Sequence, residues 1–408
     1  MLNIITGAPG AGKTTYLLSK VEEYLDDGIR PDEIGFFTFT RKAANEAKVR
    51  AMRKFDIDYK ELPYFRTIHS YAFTQLGLSR NQVMQRQHYQ QLGELLGLEM
   101  RGNFSSDDGL LNTMLSGDKL LFLENLSRVR KETLDETFTQ QVDDDISWWE
   151  LERVSTTLKL FKEKYALIDF TDMLQMYCKQ GYTPKLKVLF VDESQDLSKL
   201  QWEIISMIMD TVTEKYVAGD DLQSIYEWSG ADVEHFLLLT GEVYNLEQSW
   251  RVPKKVQKIA QQISANIIQK RECTWLPRDY EGNVEYYAEP ESVDLSTGTW
   301  LLLARNNYML KRLEDMCDYE GYPFFSTKRT YKEDKDETRI TVSTIHGVKG
   351  GEADNVLLMT DMAPKSYNEM LTNYDSEARV FYVGVTRAKQ NLHIIYPTTN
   401  KYFNIDSI

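Results

Sequence analysis

The sequence predicts an α/β protein built as two parallel-sheet domains in series. Three observations carry this. Short β-rich runs recur along the chain, helical patterns or long loops separate most of them, and the runs fall into two groups, before and after about residue 243. Strands alternating with helices pack as a parallel sheet with crossover helices. A length of 408 residues also exceeds what one core ordinarily serves.

The expected strands are Asn3–Thr6, Gly35–Thr40, Lys187–Asp192, Lys215–Ala218, Glu242–Leu246, Thr299–Ala304, Ile340–Ser343, Asn355–Met359 and Leu392–Tyr396. Residues 81–165 read differently. Gln82–Leu98 and Trp148–Tyr165 place apolar residues at helical spacing, and 102–118 concentrate Asn, Ser, Asp and Gly as loops do. This is a mostly helical insertion into the first domain. Residues 326–338 (STKRTYKEDKDET) form a charged, exposed link. The expected organisation is 1–80 with 166–243 as the first domain, 81–165 as the insertion and 244–408 as the second domain.

The net charge of −14 argues against coating nucleic acid by bulk charge, but leaves room for a local basic groove. Cys178, Cys273 and Cys317 are scattered, as free thiols in a reducing compartment are. The N-terminus lacks the pattern of a signal peptide, and no apolar run approaches the ~20 residues of a membrane helix. A cytoplasmic protein without a membrane partner is expected, in host cytoplasm if phage-encoded.

Gly7-Ala8-Pro9-Gly10-Ala11-Gly12-Lys13-Thr14 fits GxxxxGK[ST], with a strand before it and a helix after. Glycines let backbone N–H groups turn inward as an anion nest, and the following helix aims its positive end at the same phosphates. Lys13 reaches the β- and γ-phosphates in such a loop, and the Thr14 hydroxyl holds Mg²⁺. The apolar run ending in Asp192-Glu193 delivers two carboxylates to a strand end. Asp192 suits the Mg²⁺ shell, and Glu193 suits orienting or deprotonating the attacking water. A third strand end carries Gln223, an amide able to sense a γ-phosphate, followed by Tyr226 and Trp228. If exposed, these two rings offer faces to nucleic-acid bases.

GAPGAGKT, FFTFTRKAANEA, RTIHSYAF, VDESQDLSKLQW, GDDLQSIYEWSGA, LEQSWRV, STIHGVKGGEADNVLL and FYVGVTRAKQNLHI occur in this order. Together they resemble the motifs of UvrD/Rep-type superfamily 1 DNA helicases, from residue 2 to about 396. The resemblance implies two RecA-like P-loop domains that use ATP, with other NTPs possible fuels, and Mg²⁺. It implies that Arg251 and Arg387 reach the γ-phosphate, that Glu352 lies near the ribose and that Trp250 stacks on the base. On the DNA side it implies Phe39, Thr40, Arg41, Thr67, His69, Tyr226, Trp228, Thr344, His346 and Lys349. Partners implied are single-stranded DNA or single-strand/duplex junctions, with replication, repair or recombination proteins. Travel is 3′→5′ on this resemblance.

Departures from the family pattern carry their own expectations. A glutamine that reads the adenine edge ahead of the first strand is absent, and Thr15 stands where an arginine is common. Weaker discrimination among NTPs is therefore expected. Trp250 replaces a tyrosine, and Ser229 an arginine. The short link replaces a large accessory domain called 2B, which gives a compact form. Two other readings stay open. One is a DNA-stimulated ATPase subunit or remodelling switch that needs a partner; the other is a P-loop enzyme acting on a small molecule. Arg128, Arg130 and Lys131 read as an exposed charged helix, with a duplex grip as the alternative.

Overall fold

The computed structural model describes residues 1–39, 41–102, 114–140, 146–326 and 338–405. Its first sheet contains β1 (Leu2–Gly7), β2 (Ile34–Thr38), β3 (Phe65–Thr67), β4 (Val188–Asp192), β5 (Glu214–Ala218) and β6 (Glu242–Leu246). The six strands lie in the order β3-β2-β4-β5-β1-β6 and pair in parallel. A two-stranded ribbon follows, β7 (Gln248–Pro253) with β8 (Leu276–Arg278). The second sheet contains β9 (Asn283–Tyr287), β10 (Trp300–Ala304), β11 (Phe325–Ser326), β12 (Ile340–Thr344), β13 (Ala353–Met359) and β14 (Ala388–Ile395). Its order is β11-β12-β10-β13-β14-β9, again parallel. The α/β class with two tandem parallel sheets is thus present as expected.

Alternation across the pleat divides each sheet between two cores. Ile4, Phe37, Leu189, Val191 and Val217 enter one core of the first sheet, and Ile5, Phe36, Phe190 and Ala218 the other. Both faces being covered, β2 and β4 are buried along their whole length. In the second sheet Leu301, Leu303, Val356 and Leu358 oppose Leu302, Ala304, Leu357 and Met359 in the same way.

Each strand expected from sequence exists, with ends displaced by a few residues. β3, β7, β8, β9 and β11 were not anticipated. β3, β8 and β11 are only two or three residues long, and β9 is half-buried throughout, so none carries a clear apolar pattern. β6 completes the first sheet at Leu246. β11 and β12 are direct neighbours, joined by residues 327–339, so a short link stands between them. Residues 327–337 of the expected charged link lie outside the described residues.

The insertion is helical: Arg86–Leu96, Ser116–Arg130, Leu134–Gln140 and Trp148–Tyr165, around a core of its own. The second of these helices starts inside the stretch expected as loop. Its Asp118 is buried and accepts N–H bonds from Arg101 and Gly102 at 2.9 Å each, which gives a polar residue a structural role there. Arg128 is neither exposed nor free to grip duplex. It donates to Asp169 at 2.7 Å, Glu124 at 2.8 Å and Asp172 at 3.1 Å in a largely buried network. Arg130 donates to the Glu227 carbonyl at 3.0 Å, and Lys131 pairs with Glu203 at 3.0 Å. These three cations fasten the insertion to the first domain.

Candidate nucleotide cleft and nucleic-acid face

A cleft of about 480 Å³ opens at the C-terminal ends of β1 and β4, between the two sheets. Parallel sheets build their sites at this edge because crossover loops and helix N-termini converge there. Gly10 and Gly12 have φ of 73° and 84°, a left-handed backbone open to glycine at little cost. The loop that results curls over the start of the helix Lys13–Asp26. Lys13 folds back to donate to the carbonyls of Gly7 at 3.0 Å and Ala8 at 3.4 Å, with Asp220 3.8 Å away. Gly7, Ala8, Pro9 and Ala11 form the remainder of the turn, and Ala8 and Ala11 are buried against the second domain's core.

The Thr14 hydroxyl donates to Asp192 Oδ2 at 2.6 Å. A hydroxyl beside a carboxylate is a hard-oxygen pair, which fits Mg²⁺. Glu193 follows in a left-handed conformation (φ 52°) that is costly for a side chain bearing a Cβ, a strain that gathers at functional sites. Its carboxylate accepts from Gln195 Nε2 at 2.6 Å. Burial, then the charge of Glu193, pushes the Asp192 carboxyl up. Burial acts on Glu193 too, but Lys349 and Lys13 outweigh it and hold its carboxyl below the usual range. One carboxylate is thereby kept ionised beside another that protonates more readily.

The opposite wall comes from the second half of the chain. Ser249 Oγ donates to the Pro9 carbonyl at 2.7 Å, and the Trp250 N–H to the Gly10 carbonyl at 3.1 Å. Trp250 itself is 71% exposed, a free indole face at the cleft. Arg251 lies over the loop, where a Cβ on Gly10 would come within 2.5 Å of its own Cβ, and its Nε donates to Glu352 at 2.6 Å. Arg387 is buried. It donates to Gln223 Oε1 at 2.7 Å, to the Val383 carbonyl at 3.0 Å and to the Gly351 carbonyl at 3.3 Å. Burial and then Arg251 push it down to about 9, so it remains a cation at neutral pH. Thr15 also lines the cleft, and Arg50 from the helix Arg41–Phe55 donates to its hydroxyl at 3.5 Å. A guanidinium thus stands in space beside the position where the resemblance led one to expect it in sequence.

The residues expected on the DNA side divide. Phe39 and Tyr226 stack at 5.7 Å between centroids, and the Lys349 ammonium lies 4.9 Å from the Tyr226 ring centre. Trp228 is half-buried and stacks on Phe122 of the helical insertion at 5.8 Å, packed against that insertion's core. Lys349 Nζ donates to both Asp196 oxygens at 2.6 Å and to the Gln223 carbonyl at 2.5 Å, facing the nucleotide cleft. Thr67 caps the helix Ile68–Gln75, and Thr344 accepts the Gly347 N–H at 3.2 Å. His69 meets Phe170 edge-on at 6.0 Å. Thr40 lies outside the described residues, and Arg41 is the first residue of its helix, its side chain outside the description. Sequence reasoning assigned no role to Asp196, Gln195 or Asp220. Asp196 stood inside the DESQD segment, but an acidic residue there gains meaning only from the lysine 153 positions away.

His346 is buried under Tyr226, and burial, then Arg305, lowers its pKa well below the ordinary value. The unfolded chain therefore binds a proton below about pH 6.5 that the folded state refuses. The contribution of this residue is present above that pH and is lost as pH falls. The stability gap between wild type and His346→Asn should narrow by about 1.4 kcal/mol per pH unit below ~6.5, in urea titrations at stepped pH. A gap independent of pH would remove His346 as the cause.

The UvrD/REP helicase N-terminal domain matches residues 2–243, and the UvrD-like helicase C-terminal domain matches 324–399. A probable DNA helicase of Mycoplasma pneumoniae is 23% identical, across 97% of this chain and 80% of its own length. The ATP-dependent DNA helicase Rep of Buchnera aphidicola from Acyrthosiphon pisum is 23% identical across 99% of this chain and 67% of its own. Rep of Escherichia coli is 28% identical across 66% of this chain and 42% of its own. No helix among the described residues is long and apolar enough to cross a membrane. With an N-terminal domain match over more than half its length, a C-terminal match behind it and two parallel sheets enclosing a phosphate loop, the chain belongs to the UvrD/Rep family of superfamily 1 helicases.

Proposed function

We propose that the chain is an ATP-driven translocase on single-stranded DNA that moves 3′→5′ and unwinds duplex where it meets it. One observation carries the reading. Arg387, from the second domain, donates to Gln223, from the first, so each domain supplies one half of a γ-phosphate sensor. In this reading the loop Gly7–Thr14 cradles the phosphates, and Thr14 with Asp192 would hold Mg²⁺. The metal supplies charge neutralisation on the phosphate oxygens when bound. Glu193 accepts the proton of the attacking water. Arg251 and Arg387 stabilise the charge that develops during transfer. Trp250 stacks on the base, with Arg50 and Thr15 at the same end of the cleft and Glu352 near the ribose.

Nucleotide closes the cleft by joining both walls, and loss of the γ-phosphate releases Arg387 and Gln223. The Phe39–Tyr226 stack borders the same cleft, so its closure regrips the strand at that face. Base specificity is low because stacking and phosphate contacts read no sequence. A second reading, an ATPase subunit that needs a partner to unwind, draws on the short segment between β11 and β12.

Steady-state ATP hydrolysis at low salt, with and without single-stranded DNA, tests the main reading. Stimulation of about tenfold or more is expected, since low salt preserves phosphate contacts. Hydrolysis indifferent to DNA would sink it. Unwinding of a tailed duplex by the purified chain separates the main reading from the partner-dependent one.

A further inference from the structure

Glu227 stands between Tyr226 and Trp228 in a short turn closed by Gly230, whose φ is 101°. Three parts of the molecule hold this turn. From the insertion, Arg130 donates to the Glu227 carbonyl at 3.0 Å, and a Cβ on Gly230 would come within 2.8 Å of Val129. Tyr226 packs against the core of the second domain, and its hydroxyl donates to the His346 carbonyl at 3.4 Å. The third hold is Arg379 of the second domain, which donates to the Glu227 carboxylate.

The Arg379 side chain is 1% exposed, and that of Glu227 is 23% exposed. Among the described residues Glu227 is the one carboxylate in an ion pair with Arg379. The second arm of the guanidinium donates to the Gln269 carbonyl at 2.6 Å. Arg379 lies on the helix Tyr374–Val385, and Arg387 follows just beyond that helix's end. The two arginines are roughly two turns apart, about 12 Å by helical rise. Arg387 Nε donates to the Val383 carbonyl in the last turn at 3.0 Å, so both arginines move with one helix. Their partners, Gln223 and Glu227, lie on one segment of the first domain. One rigid element therefore meets the nucleotide side through Arg387 and the turn beneath the aromatic stack through Arg379.

We propose that Arg379 is a positioning residue that couples the nucleotide cleft to the nucleic-acid face. When the helix shifts with Arg387, Arg379 carries Glu227, and with it the Tyr226 ring of the Phe39–Tyr226 stack. A buried ion pair contributes little net stability, but it fixes the register of the two elements it joins. Apolar contacts alone would let the turn slide against the helix. The inference rests on the translocase reading above.

The affinity of labelled oligo-dT for the full chain, by anisotropy with and without a non-hydrolysable ATP analogue, tests it. The ratio of the two affinities is the coupling factor, ordinarily about 5–150. Glu227→Ala is expected to bring this factor to within about twofold of unity. DNA-free ATP hydrolysis and nucleotide-free strand affinity should stay within about threefold of wild type, a split that a merely structural turn would not produce. If hydrolysis and affinity fall together with the factor, the pair is structural and the proposal is overturned. A Glu227→Ala variant with the wild-type factor overturns it as well. Should that variant strand Arg379 and unfold the chain, Glu227→Leu with Arg379→Met removes both charges at once. The same loss of the factor is then expected. A wild type that binds oligo-dT with no response to nucleotide overturns the coupling and leaves DNA binding standing. A wild type that binds no oligo-dT overturns the single-strand reading, and the proposal with it.

Discussion

Replacing Arg387 by alanine is expected to lower ATP turnover at saturating nucleotide by about 10³-fold, at the lower end of what arginine fingers supply. The guanidinium is buried and already fixed by the Gln223 side chain and the Val383 and Gly351 carbonyls. It arrives pre-oriented, so little is lost in positioning it at the moment charge develops. Nucleotide affinity, measured with a fluorescent ATP analogue, should change far less than turnover. That split marks an interaction made chiefly in the transition state. A rise in KM at unchanged kcat would instead make Arg387 a ground-state contact. Arg387→Lys should not rescue turnover, because an ammonium cannot hold Gln223 and two carbonyls in one planar fork.

Lys349→Ala is expected to destabilise the fold by about 1–3 kcal/mol, since it leaves the buried Asp196 carboxyl, which burial already pushes up to about 7, to take up a proton without its partner. The Lys349 side chain is 9% exposed and that of Asp196 only 2%. Lys349 stands beside β12 of the second sheet, and Asp196 just beyond β4 of the first. The pair therefore ties the two domains at the floor of the nucleotide cleft. Joint replacement by apolar residues, Lys349→Met with Asp196→Leu, should recover most of the lost stability. DNA-stimulated hydrolysis should stay low, because the tie that couples cleft to strand is gone. Urea denaturation and stimulated turnover of both single variants and the double variant check this. If Lys349 were a surface contact to DNA, as the motif resemblance implies, its loss would weaken strand binding with stability within ~0.5 kcal/mol of wild type. The two outcomes are separated by the denaturation curve alone.

Much of the fold was legible because buried parallel strands are short apolar runs, and those runs stand out between helical segments. β2 and β4 are buried at every position, and both were evident. β3 and β11 were not, because two or three residues carry no periodicity. The insertion announced its helical character, and two of its helices by spacing, but not that Arg128 would be enclosed by three carboxylates. A basic run in sequence looks the same whether its partners are water or buried aspartates.

The sequence by itself determined the phosphate end of the cleft. Gly10, Gly12, Lys13 and Thr14 fall within five consecutive residues, and local backbone geometry dictates what they form. It also determined which strand ends would carry Asp192, Glu193 and Gln223. Only the tertiary structure decided the pairings that join the halves. Lys349 meets Asp196 across 153 positions and Arg387 meets Gln223 across 164. It likewise packed Trp228 against the insertion's core and gathered Lys48, Arg66 and Arg80 into one wall. The physical reason is that spacing reports local conformation, whereas the partner of a buried charge or ring is set by which surfaces the packed sheets bring together and shield from water.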